Sequence, residues 1–100
     1  MISQANVAIG FAWYRKDQWL LLKALSVDSD QMDNTYEDWL RGATSSFERL
    51  VQQGMLVKRV EVDIRDLVAW CEKQNVPLNG AARSGYAAEK LQRESSAEDA

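Results

Sequence analysis

A helix-rich α+β single domain, in the order β-α-α-β-α-α, is the fold class this sequence predicts. Three patterns carry that prediction. Residues 7–13 alternate large and small apolar side chains, the period of a strand. Residues 35–53 place apolar side chains on one helical stripe. Breakers stand where elements should end, at Gly54 and Pro77.

In the first strand Val7, Ile9, Phe11 and Trp13 point one way and Ala8, Gly10 and Ala12 the other. The small face leaves room for a helix to pack closely, a better reading than a ligand cleft. Asp17 can cap a helix over 17–26, whose broad apolar face is Leu21, Leu22, Ala24 and Leu25. Trp19 then falls on the other side, beside Lys23 and Ser26. The polar run 28–34 reads as a loop. Thr35 and Asp38 resemble a capping box opening the 35–53 helix. Its stripe is Tyr36, Trp39, Leu40, Ala43, Phe47, Leu50 and Val51, and Gly54 stops it.

Residues 56–62 form a second strand, with Leu56, Val60 and Val62 on one face. Asp63 caps the next helix, striped by Ile64, Leu67, Val68 and Cys71 with Trp70 to one flank. Val76-Pro77-Leu78 breaks it, and Asn79 caps a last, alanine-rich helix over 80–92. Residues 1–93 therefore read as one globular domain and 94–100 as a disordered acidic tail. Two strands joined by a helical crossover predict parallel pairing. A two-stranded sheet is marginal alone, so helices must shelter it or a second subunit must extend its edge by dimerisation.

Charge and residue inventory limit the function. The net charge is −3, and the tail holds three acids, leaving 12 basic and 12 acidic side chains in residues 1–93. Phosphate backbones are bound through a surplus of Lys and Arg, so nucleic acid is a poor candidate partner. There are four tryptophans, Trp13, Trp19, Trp39 and Trp70, and no histidine. Histidine is the commonest general acid/base, so this inventory favours packing and recognition over catalysis. No Ser-His-Asp or Cys-His pair can form, and the five glycines are too scattered for a phosphate loop. Asp28, Asp30 and Asp33 fail the calcium-loop template, because Met32, Asp33 and Trp39 occupy its fifth, sixth and twelfth places. No cofactor or metal is expected. Cys71 stands alone on an apolar stripe and reads as core. No signal-peptide pattern or membrane-length apolar run occurs, so a cytoplasmic protein is expected.

Two groups of residues remain as binding candidates. Trp19 and Trp70 lie off their apolar stripes, which suits either two-sided burial or a partner or ligand surface. Arg83, Tyr86 and Lys90 share one face of the last helix and could hold an anionic group, or form a solvated, salt-bridged face.

Thr35-Tyr36-Glu37-Asp38-Trp39, Val60-Glu61-Val62-Asp63 running into Leu67-Val68-Ala69-Trp70-Cys71, and Gly80-Ala81-Ala82-Arg83 with Tyr86-Ala87 together resemble a small family of bacterial proteins of this length. The likeness spans residues 7–91 and implies a compact bacterial cytoplasmic protein that stands alone. It brings no activity, cofactor or catalytic residue with it. The favoured reading is a non-catalytic, self-associating interaction or accessory module, a homodimer. The alternative is a binder of a small anionic or aromatic metabolite, and a histidine-free enzyme comes third.

Overall fold

The structure, a computed structural model, describes residues 8–99, with side chains through Glu94. Its elements are β1 (Ile9–Trp13), α1 (Lys16–Leu25), a 3-10 turn (Ser29–Gln31), α2 (Tyr36–Gln52), β2 (Val57–Glu61), α3 (Ile64–Gln74) and α4 (Gly80–Asp99). β1 and β2 pair in parallel, with Ile9 opposite Val57 and Trp13 opposite Glu61. The ladder continues past both ends: Ile9 N–H donates to the Leu56 carbonyl at 2.8 Å and Val62 N–H to the Trp13 carbonyl at 3.1 Å. The expected class, order and pairing are those observed. Val7, expected in β1, lies outside the described residues.

The two faces of the sheet are covered by different materials. On the small face, a Cβ at Gly10 would stand 2.9 Å from the Ala87 carbonyl oxygen. α4 therefore lies with its backbone almost on the strand, and Val60, Ala87 and Leu91 close over Ala8 and Ala12. On the large face, Phe11 and Trp13 meet α2: Trp13 stacks edge-on with Trp39 at 5.5 Å and Phe11 with Phe47 at 6.1 Å. Arg59, directly across from Phe11, lays its guanidinium 4.1 Å from the Phe47 ring centroid and 4.6 Å from that of Trp13. Such cation–π contacts contribute about 0.5–2 kcal/mol.

The main core sits just beyond the carboxyl ends of both strands, where Tyr14 and Val62 join Trp19, Leu22, Ile64, Leu67, Cys71, Leu78, Ala82 and Tyr86. Helix caps hold the surrounding elements. Thr35 Oγ1 accepts from Asp38 N–H at 3.1 Å, Asp63 Oδ1 from Arg65 N–H at 2.9 Å and Asn79 Oδ1 from Ala82 N–H at 3.0 Å. Gly54 adopts φ 84° after α2, the left-handed stop that glycine permits. Between α1 and α3, Gln18 Oε1 accepts from Ile64 N–H at 2.7 Å, satisfying a free donor at the start of α3.

Several boundaries and faces differ from expectation. α1 begins one residue earlier than expected, with Arg15 as its cap residue and Asp17 in the first turn, where its charge favours the helix dipole. In β2 the buried residues are Val57 and Val60, followed by Val62, whereas Leu56 is exposed. The backbone of residues 94–99, expected as a disordered tail, continues α4. Neither glycine nor proline interrupts that stretch, and alanine, glutamate and serine are all tolerated in a helix.

The close approach at Gly10 sets a measurable expectation. Gly10→Ala should destabilise the fold by about 1–3 kcal/mol in urea unfolding, because the added methyl collides with backbone. Gly42, exposed in α2 with open space around it, is the control: Gly42→Ala should stabilise by about 0.5–1 kcal/mol.

Candidate functional site

The five candidate residues part company in the structure. Trp19 has 0% exposure and is a central core side chain. It packs edge-on against Tyr36 at 6.2 Å, with the Lys23 ammonium 5.7 Å from its ring. Its indole N–H has no hydrogen-bond acceptor among the described residues. This corrects the expected orientation of α1. The helix is apolar around most of its circumference, so counting residues on a wheel favoured the three-leucine face. One indole buries as much as about 150–250 Å², and the fold turns Trp19 and Leu22 inward. Leu20, Leu21 and Leu25 are left 52%, 41% and 48% exposed, and Val27 beyond them 66%.

Arg83 is also committed inside the molecule. Its Nη1 and Nη2 donate to Asp28 Oδ1 at 3.0 Å and Oδ2 at 2.9 Å, and Nη1 also reaches Ser26 Oγ at 3.2 Å. The fork clamps the α1–α2 connection onto α4, and it holds the Asp28 carboxyl below its usual range. Arg83 is thus the salt-bridged residue of the two readings, away from Tyr86 and Lys90 in function.

Trp70, Tyr86 and Lys90 do converge, lining an open groove of about 650 Å³ between α3 and α4. Gly85 makes this possible: a Cβ there would stand 3.3 Å from the Trp70 ring. The indole therefore lies across α4, edge-on to Tyr86 at 5.9 Å, and donates to Glu89 Oε2 at 2.6 Å. Lys90 Nζ donates to the Glu61 carbonyl at 2.6 Å, tying α4 to the end of β2. The remaining lining charges, Lys73 and Arg93 against Asp66 and Glu94, balance.

Chemically the groove offers two aromatic side chains and charges of both signs. Burial, with Asp66 nearby, raises the Tyr86 phenol, so it keeps its proton at neutral pH. Burial likewise raises the Cys71 thiol, which stays protonated in the core. Among the described residues no group of three or more His, Cys, Asp or Glu side chains is placed to hold a metal ion. No helix among them is long and apolar enough to cross a membrane.

The surface that sequence reasoning missed is the outer face of α1, made of Leu20, Leu21, Ala24 and Leu25 and continued by Val27. The signal was present in the consecutive leucines 20–22, which make the helix apolar on all sides. A helix of that kind is ordinarily buried all round. Compared with protein-family models, curated proteins and solved structures, the chain matches none of them.

The clamp and the buried phenol make stability pH-dependent at both ends. Because the Asp28 carboxyl is depressed in the folded state, its contribution is present above about pH 4 and lost as the pH falls below that. Arg83→Met should destabilise by about 2–3 kcal/mol at neutral pH, and urea unfolding should show the gap to wild type narrowing in acid. Burial pushes the Tyr14 phenol up to about 12, against an opposing pull from Arg83. An unfolded tyrosine ionises near pH ~10, so stability should fall as the pH rises from about 10 towards 12. Tyr14→Phe should reduce that alkaline decline, with the raised Tyr86 phenol accounting for part of what remains.

Proposed function

We propose that the protein is a non-catalytic, self-associating interaction module that docks through the outer face of α1. The observation that carries this reading is a row of exposed leucines, Leu20, Leu21 and Leu25, on a helix whose opposite side is locked into the core by Trp19. Together these side chains expose a few hundred Å² of apolar surface, the size of the largest patch on an ordinary monomer, which is often functional. The face is already formed on a helix held to the core by Trp19 and Leu22, and a preformed face lowers the ordering cost of association.

The sheet edge is the weaker docking surface. β2 is five residues long and carries Lys58, Arg59 and Glu61, the short, charged kind of edge that resists strand pairing. Its Glu61 carbonyl already accepts from Lys90. A bacterial cytoplasmic setting suits the single, buried, free cysteine, and the balanced charge of residues 1–93 argues against nucleic acid as partner.

A second reading, a site for a small anionic or aromatic metabolite, is favoured by one observation. Trp70, Tyr86 and Lys90 line the α3–α4 groove together with the cations Lys73 and Arg93. A metabolite that raises the Tm of wild type but not of Lys73→Ala/Arg93→Ala would support it.

Sedimentation velocity tests the main reading. Wild type should shift from monomer towards dimer with rising concentration. Leu21→Glu/Leu25→Glu should remain monomeric and keep a wild-type circular dichroism spectrum, since Trp19 and Leu22 hold the helix to the core. A wild-type chain that stays monomeric up to about 1 mM, where an association of about 4 kcal/mol is half formed, would rule the reading out.

A further inference from the structure

We infer that the occupant of the α1 face is a second copy of the chain, its α1 lying antiparallel across a two-fold axis between residues 22 and 23. This rests on the self-association through that face proposed above and adds its symmetry and register.

The first argument is geometric. At 100° per residue, Leu20, Ala24, Leu21 and Leu25 fan across the exposed side of α1 in that angular order. Pairs of these positions are symmetric about the midpoint of residues 22 and 23, both along the helix and around it. A two-fold axis through that midpoint brings Leu20 of one copy beside Leu20 of the other on one flank of the contact, and Leu25 beside Leu25 on the other flank. It sets Leu21 against Ala24, a large side chain into the space over a small one. A two-fold contact must be self-complementary in this way, because the same patch serves both copies. The pattern needs no residue from elsewhere in the fold to complete it.

Charge supplies the second argument. The polar side chains of α1 are engaged within their own chain. Lys16 pairs with Glu37 at 3.0 Å, Arg15 lies 3.7 Å from Asp17, Gln18 holds Ile64 N–H, and Lys23 donates to the Asp33 carbonyl at 2.7 Å. Past the far end of the face, Asp28 is neutralised by Arg83. In the antiparallel arrangement the Arg15–Asp17 pair of one copy meets the Asp28–Arg83 pair of the other, so internally neutral pairs face each other. Leu20, Leu21, Ala24 and Leu25 carry no charge, so an identical apolar face matches them better than a strongly charged partner does. Antiparallel helices also oppose their dipoles favourably.

The area fixes the kind of dimer. Standard interfaces bury about 800 Å² per partner, and the exposed apolar patch is under half of that. The two copies therefore form a weak, rapidly exchanging dimer that concentration can regulate.

Cysteine cross-linking reads the register directly. Leu21→Cys and Ala24→Cys are both outward-facing, and Cys71 is buried, so wild type provides the blank. A disulfide needs Cβ atoms about 4 Å apart, so a mixture of the two variants should cross-link about fivefold faster than either alone. Circular dichroism checks that each variant is folded. Leu21→Cys cross-linking with itself as fast as the mixture would indicate parallel helices and overturn the register. If wild type dimerises, Leu21→Glu/Leu25→Glu does not, and the mixture shows no preference, the register fails while the docking face stands. A monomeric wild type removes both.

Discussion

The depth at which α4 rests on β1 governs the rest of the structure, and one backbone contact fixes that depth. With no side chain at Gly10, the Ala87 carbonyl comes within 2.9 Å of where a Cβ would be. Everything else on α4 follows from this seat. Tyr86 and Ala82 reach the core beyond the strand ends, Leu91 covers Val60, and Arg83 meets Asp28. A second glycine, Gly85, gives the Trp70 ring room against α4, since a Cβ there would stand 3.3 Å from it.

A two-stranded parallel sheet has little stability of its own. Here it serves as a partition between a close-packed helix backbone on one side and an aromatic layer on the other. Trp13, Trp39, Phe11 and Phe47 form that layer, and Arg59 seals its exposed margin by stacking on two of the rings. The aromatic richness is therefore mainly structural. Trp13 and Trp39 fill the α2 side, Trp19 fills the main core and Trp70 joins two helices. The large apolar side chains that α1 leaves at the surface are aliphatic, Leu20, Leu21 and Leu25.

Much of this was legible in the chain. Thr35, Asp63 and Asn79 cap the helices they were expected to cap, Gly54 ends α2, and the large-small alternation of 9–13 gives a strand with one tightly covered face. The candidate site was only partly legible. Trp70, Tyr86 and Lys90 meet because Tyr86 and Lys90 are one helical turn apart and Trp70 crosses them at Gly85. Arg83 shares their helix but turns to Asp28 instead. The orientation of α1 was not legible, because its apolar residues encircle it and no periodicity distinguishes one side.

The sequence by itself determined the order of elements, the caps of α2, α3 and α4, the stop of α2, the parallel sense of the sheet and the lack of any histidine. These depend on signals that act within a few residues, such as capping oxygens, left-handed glycine and hydrophobic period. Tertiary structure alone decided which side of α1 is buried, which cation is clamped and which groove Trp70 lines. Those outcomes are set by competition for buried area among residues far apart in the chain. The indole is the largest single apolar side chain on α1, and it lies in the core with Leu22 while Leu20, Leu21 and Leu25 stay at the surface.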